Sequence, residues 1–238
     1  MKDLLSFIDM EIKTLKLSIE LENNLSPADA GKIRGYLGNL FWDNPYAHQH
    51  SEDGKFIYKY PRVQYKIVKG KCILIGFNEG MQIVKQVFFE LKSINISGRW
   101  QKILGKGLEG YCAFFSISSD QTSYSFLTPW LALNEKNFEN YRELQTLEEK
   151  KKLLENILIG NIISISKSLG YTVPEPIEAH IQRIKQITTK LKNVPMIGFL
   201  GTFSVNFEIP DYWGIGKSVS RGFGTIKKLS NNLNRIGV

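Results

Sequence analysis

An alternating strand followed by a capped helix limits what the first half of the chain can fold into. Residues 12–21 (IKTLKLSIEL) alternate apolar and polar side chains, which is the period of a half-buried strand. In the tetrapeptide that follows at 26–29, Ser26 can cap a helix, Pro27 suits the first helical position and Asp29 suits the first turn. We therefore predict a strand and then a helix that ends near Phe41.

Three glycines interrupt this predicted helix. Gly31, Gly35 and Gly38 are spaced by four and three residues, so they share one helical face. Each costs up to about 1 kcal/mol relative to alanine. The pattern indicates close approach of another backbone, either a strand packed beneath the helix or a ligand above it.

The order of the next elements is typical of a ferredoxin-like unit. A polar loop at 42–55 is bounded by turn signals. Beyond it, periodicity predicts three short strands and an amphipathic helix, at 56–61, 62–68, 71–77 and 78–93. This order matches the first elements of a βαββαβ unit, whose last strand is expected near 93–100 or 110–118.

The second half repeats this order in a looser form. A strand is predicted at 124–133, and Thr146 with Glu149 forms a capping box for a long helix that ends at Gly170. Further strands are predicted at 179–190, 196–209 and 223–228. The predicted fold class is α+β, with two tandem ferredoxin-like (RRM-like) domains at residues 1–120 and 121–238.

Composition excludes several other classes of protein. The 238 residues are 42% hydrophobic and 23% charged, which excludes a disordered or collagen-like chain. Apolar runs are too short for a transmembrane helix, and the amino terminus lacks the features of a secretory signal. We therefore expect a cytoplasmic protein in which Cys72 and Cys112 are buried free thiols.

The positive charge is concentrated near the carboxy terminus. Residues 176–238 hold nine of the 31 Lys and Arg residues but three of the 23 Asp and Glu residues, and so carry +6 of the net charge of +8. Clustered cations bind polyanions with release of counterions. The segment predicts either a polyanion partner or a solvated basic face.

A glycine-rich segment lies within this basic region. Residues 214–224 (GIGKSVSRGFG), which we call the glycine loop, place two Gly-apolar-Gly triplets around Lys217, Ser218 and Arg221. The spacing fits neither a dinucleotide fingerprint nor a P-loop. The loop predicts phosphate binding through backbone N–H groups and two cations, with Tyr212 and Trp213 suited to stacking on bases; the alternative is a glycine-rich hairpin.

Two of the three histidines lie one residue apart in the polar loop. His48 and His50 would point to the same side of an extended backbone about 7 Å apart, which can bracket one phosphodiester. Histidine titrates near neutral pH, so the pair can supply a base for a ribose 2′-OH and an acid for the departing 5′-oxygen. The alternatives are a zinc pair, for which a full ligand set is hard to assemble, and loop histidines without a role.

These motifs together resemble one family. The glycine loop, His-x-His, the runs RGYLGNLF (34–41), YPRVQYK (60–66) and SFLTPWLALNEKNF (125–138) are similar to the CRISPR repeat-processing endoribonucleases of the Cas6 family, RAMP superfamily, in the variant found with subtype I-B systems. The resemblance covers nearly the whole chain.

The resemblance implies tandem ferredoxin-like domains and a metal-independent endoribonuclease. Such an enzyme cleaves CRISPR precursor RNA within repeats by 2′-OH attack, leaving a 2′,3′-cyclic phosphate and a 5′-OH. It implies no cofactor and no metal. The partners are CRISPR repeat RNA and other effector-complex subunits, for a monomer or homodimer that binds no membrane. The alternative is a catalytically inactive RAMP-type RNA-binding subunit of a CRISPR effector complex.

The resemblance also assigns residues. His48 and His50 are the acid and base, and Tyr58 is the nearest match to a third catalytic residue, with Tyr60 the second choice. A catalytic lysine of the family aligns with Leu40, so Lys32 and Arg34 are the substitutes. The residues expected to bind RNA are Lys32, Arg34, Gly214, Gly216, Lys217, Ser218, Arg221, Gly222 and Gly224.

Overall fold

The structure is a computed structural model that describes residues 10–41 and 60–230. The elements of the first domain are strand β1 (Glu11–Leu21), helix α1 (Asp29–Leu40), strands β2 (Val63–Val68) and β3 (Lys71–Phe77), helix α2 (Met81–Glu90), and strands β4 (Ser93–Ile96) and β5 (Arg99–Phe114). One 3₁₀ turn, Asn78–Gly80, leads into α2.

The first sheet has the strand order β2-β3-β1-β5-β4, with antiparallel neighbours. Its first four strands follow the ferredoxin-like order, so β5 is the last strand of the unit. β5 takes up the end of the first range predicted for that strand and the start of the second. β4 is a short extra strand that pairs with the beginning of β5.

The second domain begins directly after the first sheet ends. Its elements are strand β6 (Ser116–Phe126), helices α3 (Glu135–Glu143) and α4 (Leu147–Leu169), and strands β7 (Ala179–Leu191), β8 (Val194–Glu208) and β9 (Ile226–Lys228). The sheet order is β7-β8-β6-β9, again the ferredoxin-like order. The 3₁₀ turn Val219–Arg221 is the only helical turn described between β8 and β9, where an ordinary unit has its second helix.

Two α+β units with the same strand order confirm the predicted tandem ferredoxin-like fold. The strands at 12–21, 62–68 and 71–77 are also confirmed, as is the capping box of Thr146 and Glu149. The predicted strand at 124–133 was wrong in its bounds, because β6 begins at Ser116 and ends at Phe126. The helix α3 was not predicted, since its sequence is mostly polar and Tyr141 is its only buried residue.

The start of α1 differs from the prediction. Its N-cap position is Ala28, which makes no side-chain capping bond. Instead, the Asp29 carboxylate accepts hydrogen bonds from the backbone N–H and the hydroxyl of Ser26. The acceptor at this helix end is therefore the carboxylate of the first helical residue, whereas we expected the side chain of Ser26 to cap the helix.

One hydrophobic core belongs to the first domain, and a second is shared by both. The first lies between α1, α2 and one face of the first sheet, and includes Ile33, Leu37 and Val84. The second joins the opposite face of that sheet, through Ile75 and Phe77, to the buried residues of the second domain. Because both faces of β2 and β3 are covered, these strands are buried almost throughout.

The cysteine prediction is half right. Both thiols are free and Cys72 is buried, but Cys112 is exposed. The two cysteines pair with Ile19 and Lys13 of β1, six residues apart along that strand. Among the described residues, no helix combines the length and hydrophobicity needed to cross a membrane.

Candidate nucleic-acid interface

The glycine loop joins the two domains. It follows β8, takes the place of the missing helix and packs against β2 of the first domain. The N–H of Gly214 donates to Oε1 of Gln64 (2.9 Å), and its carbonyl accepts from the hydroxyl of Tyr60 (2.7 Å). At the other end, Nζ of Lys66 donates to Oγ1 of Thr225 (3.2 Å), directly after the loop.

Gly222 shows why this contact requires glycine. Its φ is +89°, and a Cβ there would lie 2.9 Å from Cβ of Ala30 and 3.0 Å from the carbonyl oxygen of Tyr65. A side chain would therefore be strained in conformation and would collide with α1 and β2. The loop is fitted to the first domain at this position.

Most backbone donors of the loop already have partners. The N–H groups of Gly214, Ile215, Lys217, Arg221, Gly222 and Gly224 all donate within the protein. These donors do not point outward to a phosphate. The polar side chains that the loop presents to solvent are the exposed Lys217 and the partly exposed Ser218 and Arg221.

Arg221 lies against α1. Its Nη1 would be 3.5 Å from a Cβ at Gly31, an ordinary contact distance, so the guanidinium lies directly against this face of the helix. The sequence predicted that another backbone would approach the glycine face of α1. At Gly31 the group that approaches is the side chain of Arg221. At Gly35, no atom of the described residues outside the helix would lie within 4 Å of such a Cβ.

Arg34 and Arg221 form a concentrated positive site. Burial, together with the like charge of Arg221, lowers the pKa of Arg34. The buried hydroxyl of Tyr65, which lacks a hydrogen-bond partner among the described residues, also interacts electrostatically with Arg34. Neither arginine forms an ion pair with any residue that the structure describes. The pair therefore suits an anion.

A cleft of about 500 Å³ opens beside this pair, between the two domains. Its walls are the start of α1 (residues 27–32), the turn between β7 and β8 (189–193) and the glycine loop (221–223). We call it the interdomain cleft. Its lining cations are Lys32, Lys190, Lys192 and Arg221. Only Lys32 has an ion-pair partner among the described residues, Asp29 at 2.8 Å.

The prediction that Trp213 stacks on bases was wrong. Its side chain is fully buried and stacks on Phe77, with ring centroids 4.4 Å apart. It also stacks on Phe115 at 5.7 Å. Trp213 thus belongs to the core shared by the domains. Tyr212 remains partly exposed, with Nζ of Lys16 5.3 Å from its ring centroid.

The predicted catalytic residues His48, His50 and Tyr58 lie outside the described residues. Tyr60, the second choice, is described: burial raises the pKa of its phenol, which donates to the carbonyl of Gly214. That hydroxyl serves the domain contact. Within the described ranges, no group of three or more His, Cys, Asp or Glu side chains is placed to hold a metal ion.

Comparisons with known proteins agree with this architecture. Family models for the Cas6b N-terminal domain and the Cas6b C-terminal domain match residues 10–110 and 116–229. A crystal structure of Cas6b is 37% identical with a TM-score of 0.84, and the match covers 92% of this chain and 100% of that one. The chain belongs to the Cas6b family.

Other relatives extend the comparison. A second Cas6b structure, described as a CRISPR RNA processing endoribonuclease, is 34% identical with a TM-score of 0.73, covering 92% of this chain and 100% of the other. An uncharacterized protein of Methanocaldococcus jannaschii is 40% identical over 141 residues, which are 59% of this chain and 95% of that protein. A type IV Cas6 crRNA endonuclease, Csf5, is 14% identical with a TM-score of 0.55 over 93% of this chain and 100% of its own, and shares the fold.

Sequence reasoning missed two residues of the cleft and two residues of the domain contact beneath the glycine loop. Lys190 and Lys192 line the cleft from the second domain, and Gln64 and Lys66 hold the glycine loop from the first. The first two were visible only as part of a charge excess. Gln64 and Lys66 could have been noticed in the sequence, because polar residues at alternate positions of an apolar strand share one face. That face is covered by the second domain, which periodicity alone does not reveal.

Proposed function

We propose that this Cas6b family member is a metal-independent endoribonuclease that cleaves CRISPR precursor RNA within its repeats. The related protein of known structure that is described as a CRISPR RNA processing endoribonuclease supports this substrate class. In the reaction the ribose 2′-OH attacks the adjacent phosphorus. The bond to the 5′-oxygen breaks, leaving a 2′,3′-cyclic phosphate and a 5′-OH.

The observation that carries the proposal is the uncompensated charge at the interdomain cleft. Arg34 and Arg221 lie close together without an ion-pair partner among the described residues, and Lys190 and Lys192 line the same cleft as Arg221. Two neighbouring guanidinium groups repel each other, and a phosphate between or beside them relieves that repulsion. An RNA backbone supplies phosphates in a row, which suits a cleft with cations on both walls.

We assign catalysis to His48, His50 and Tyr58. One histidine takes the proton of the 2′-OH, and the other gives a proton to the 5′-oxygen. After the step, the first histidine is protonated and the second is neutral. Arg34 is our candidate for stabilising the charge that develops on the phosphate, with Lys32 the second candidate. Both lie on α1, which ends at Leu40, where the family has its lysine.

Chain length allows the histidines to reach this cleft. His48 follows Phe41 by seven residues, which span at most ~25 Å even when extended. Arg34 precedes Phe41 by the same number of residues, which span about 10 Å in a helix. The proposal thus requires no rearrangement of α1.

A cleavage assay in the presence of a metal chelator tests the proposal. The purified chain is incubated in excess EDTA with end-labelled RNA of the repeat from its own genome. We expect one cut per repeat, and product termini of 2′,3′-cyclic phosphate and 5′-OH. Binding without a cut would identify a catalytically inactive RNA-binding subunit, and a cut that EDTA abolishes would identify a metal-dependent nuclease; either would overturn the proposal.

A further inference from the structure

Lys66 is a buried lysine at the contact between the domains. Its side chain is 0% exposed, and among the described residues its amine makes one hydrogen bond, to Oγ1 of Thr225. The described residues offer it no carboxylate within 4 Å. Burial lowers the pKa of Lys66 to about 7, so its environment disfavours the charged form.

An apolar side chain of similar length would fill the same space without this desolvation cost. The property that distinguishes lysine here is its hydrogen-bond donor. The role of Lys66 is therefore to be sought in what that bond controls.

The bond leads into a small network beneath the glycine loop. The Thr225 hydroxyl, which accepts from Lys66, donates to the carbonyl of Gly222 (3.1 Å). The hydroxyl of Thr128 donates to the same carbonyl (2.6 Å) and accepts from the N–H of Thr225 (2.9 Å). Two hydroxyls thus hold the Gly222 carbonyl, and Lys66 orients one of them.

Gly222 directly follows Arg221. The contacts at Ala30 and Tyr65 leave Gly222 no room to move toward the first domain. A displacement of Gly222 would move the adjoining Arg221 backbone, and with it the guanidinium beside Gly31 and Arg34. The position of the cleft arginine therefore depends on the network.

We propose that Lys66 is a positioning residue for RNA binding, which acts through Thr225 and Gly222 on the guanidinium of Arg221. It contacts no RNA itself. The inference rests on the proposed function in that RNA is the anion that Arg221 binds.

A double-mutant cycle tests the inference. Binding of fluorescein-labelled repeat RNA is measured by anisotropy in EDTA at 4 °C for wild type, Lys66→Met, Arg221→Ala and the double variant. We expect Lys66→Met to weaken binding about fivefold to tenfold, and the double variant to bind no more weakly than Arg221→Ala. Unchanged binding by Lys66→Met, or single effects that multiply in the double variant, would overturn the inference.

Gln64→Leu is the matched control. Gln64 lies on the same strand and face, is equally buried and also bonds to the glycine loop, but at Gly214. If any loss of domain contact weakened binding, this variant would behave like Lys66→Met. We expect its affinity to stay within about twofold of wild type, and an equal loss in both variants would contradict the inference.

Changes at Thr225 give a second route if Lys66→Met does not fold. Thr225→Val removes the hydroxyl and keeps the shape, so we expect the loss seen for Lys66→Met; Thr225→Ser keeps the hydroxyl and is expected to retain affinity. A Thr225→Val variant that binds like wild type would refute the network.

Failure of the two proposals is distinguishable. RNA that is bound but uncut by wild type refutes catalysis alone, and unchanged RNA affinity in Lys66→Met refutes positioning alone. No RNA binding by wild type refutes both.

Discussion

Trp213 of the second domain stacks on Phe77 of the first, with ring centroids 4.4 Å apart and planes inclined by 24°. Both side chains are 0% exposed. None of the ion pairs in the described part of the chain joins the two domains. The described contacts that hold the interdomain cleft are therefore apolar packing and hydrogen bonds rather than ion pairs, so its shape should persist at salt concentrations that screen RNA binding.

This contact makes the domains unfold together. We expect Phe77→Ala to lower the free energy of unfolding by about 3–5 kcal/mol, because it empties the core that both domains share. Phe89→Ala is the control, since Phe89 is 75% exposed, and should change stability by no more than about 0.5 kcal/mol. Calorimetry should show one transition for the wild type; two separate transitions would contradict a shared core.

Two glycines test the fit of the glycine loop. Gly222→Ala introduces a Cβ at positive φ and in contact with Ala30, so we expect the free energy of unfolding to fall by about 2 kcal/mol or more. Gly35→Ala adds a methyl group to α1 where no described atom outside the helix lies within 4 Å, so the free energy of unfolding should rise by up to about 1 kcal/mol. Urea unfolding measures both. Equal effects, or a tolerated Gly222→Ala, would contradict the fit.

The sequence predicted the fold better than the site, for a physical reason. Strand alternation, capping residues and turn signals are local, and they were enough to identify the tandem units. Which face of an element is covered is not local: Trp213 was predicted to be accessible to bases because periodicity does not show that the second domain packs on β2 and β3. Arg34 and Arg221, from opposite ends of the chain, meet only through this packing.

The arginine pair should govern the salt dependence of RNA binding. We expect Arg34→Ala and Arg221→Ala each to weaken binding about tenfold at low salt. Each should also lower the slope of log K against log salt by about 0.7 for every phosphate that the missing arginine would neutralise. Lys152→Ala is the control, because its side chain is 75% exposed and lies on α4, away from the cleft. An unchanged slope in both arginine variants would contradict the assignment.

Lys66 should make stability depend on pH. Its pKa is about 7 in the folded chain against an ordinary value of 10.5, so between these values the unfolded chain binds the proton that the folded chain lacks. Stability therefore rises with pH across this window, by up to about 1.4 kcal/mol per pH unit, and the contribution is flat below pH 7. No charged group contributes to the shift, and the hydroxyls of Thr225 and Thr128 do not titrate.

Urea unfolding at pH 7.5, 8.5 and 9.5 measures this effect. We expect the rise in wild type to be absent or much smaller in Lys66→Met, while other titrating groups cancel in the difference between the two proteins. Equal slopes would show that the amine is charged in the folded chain.

Single-turnover cleavage of repeat RNA in EDTA by a His48→Ala/His50→Ala variant tests the central claim most directly. The third histidine, His180, is exposed on β7 and outside the cleft, so His180→Ala is the matched control. We predict that the double variant binds RNA within about threefold of wild type but cleaves it at least about 10³-fold more slowly, while His180→Ala cleaves normally. Cleavage at the wild-type rate by the double variant would contradict the account.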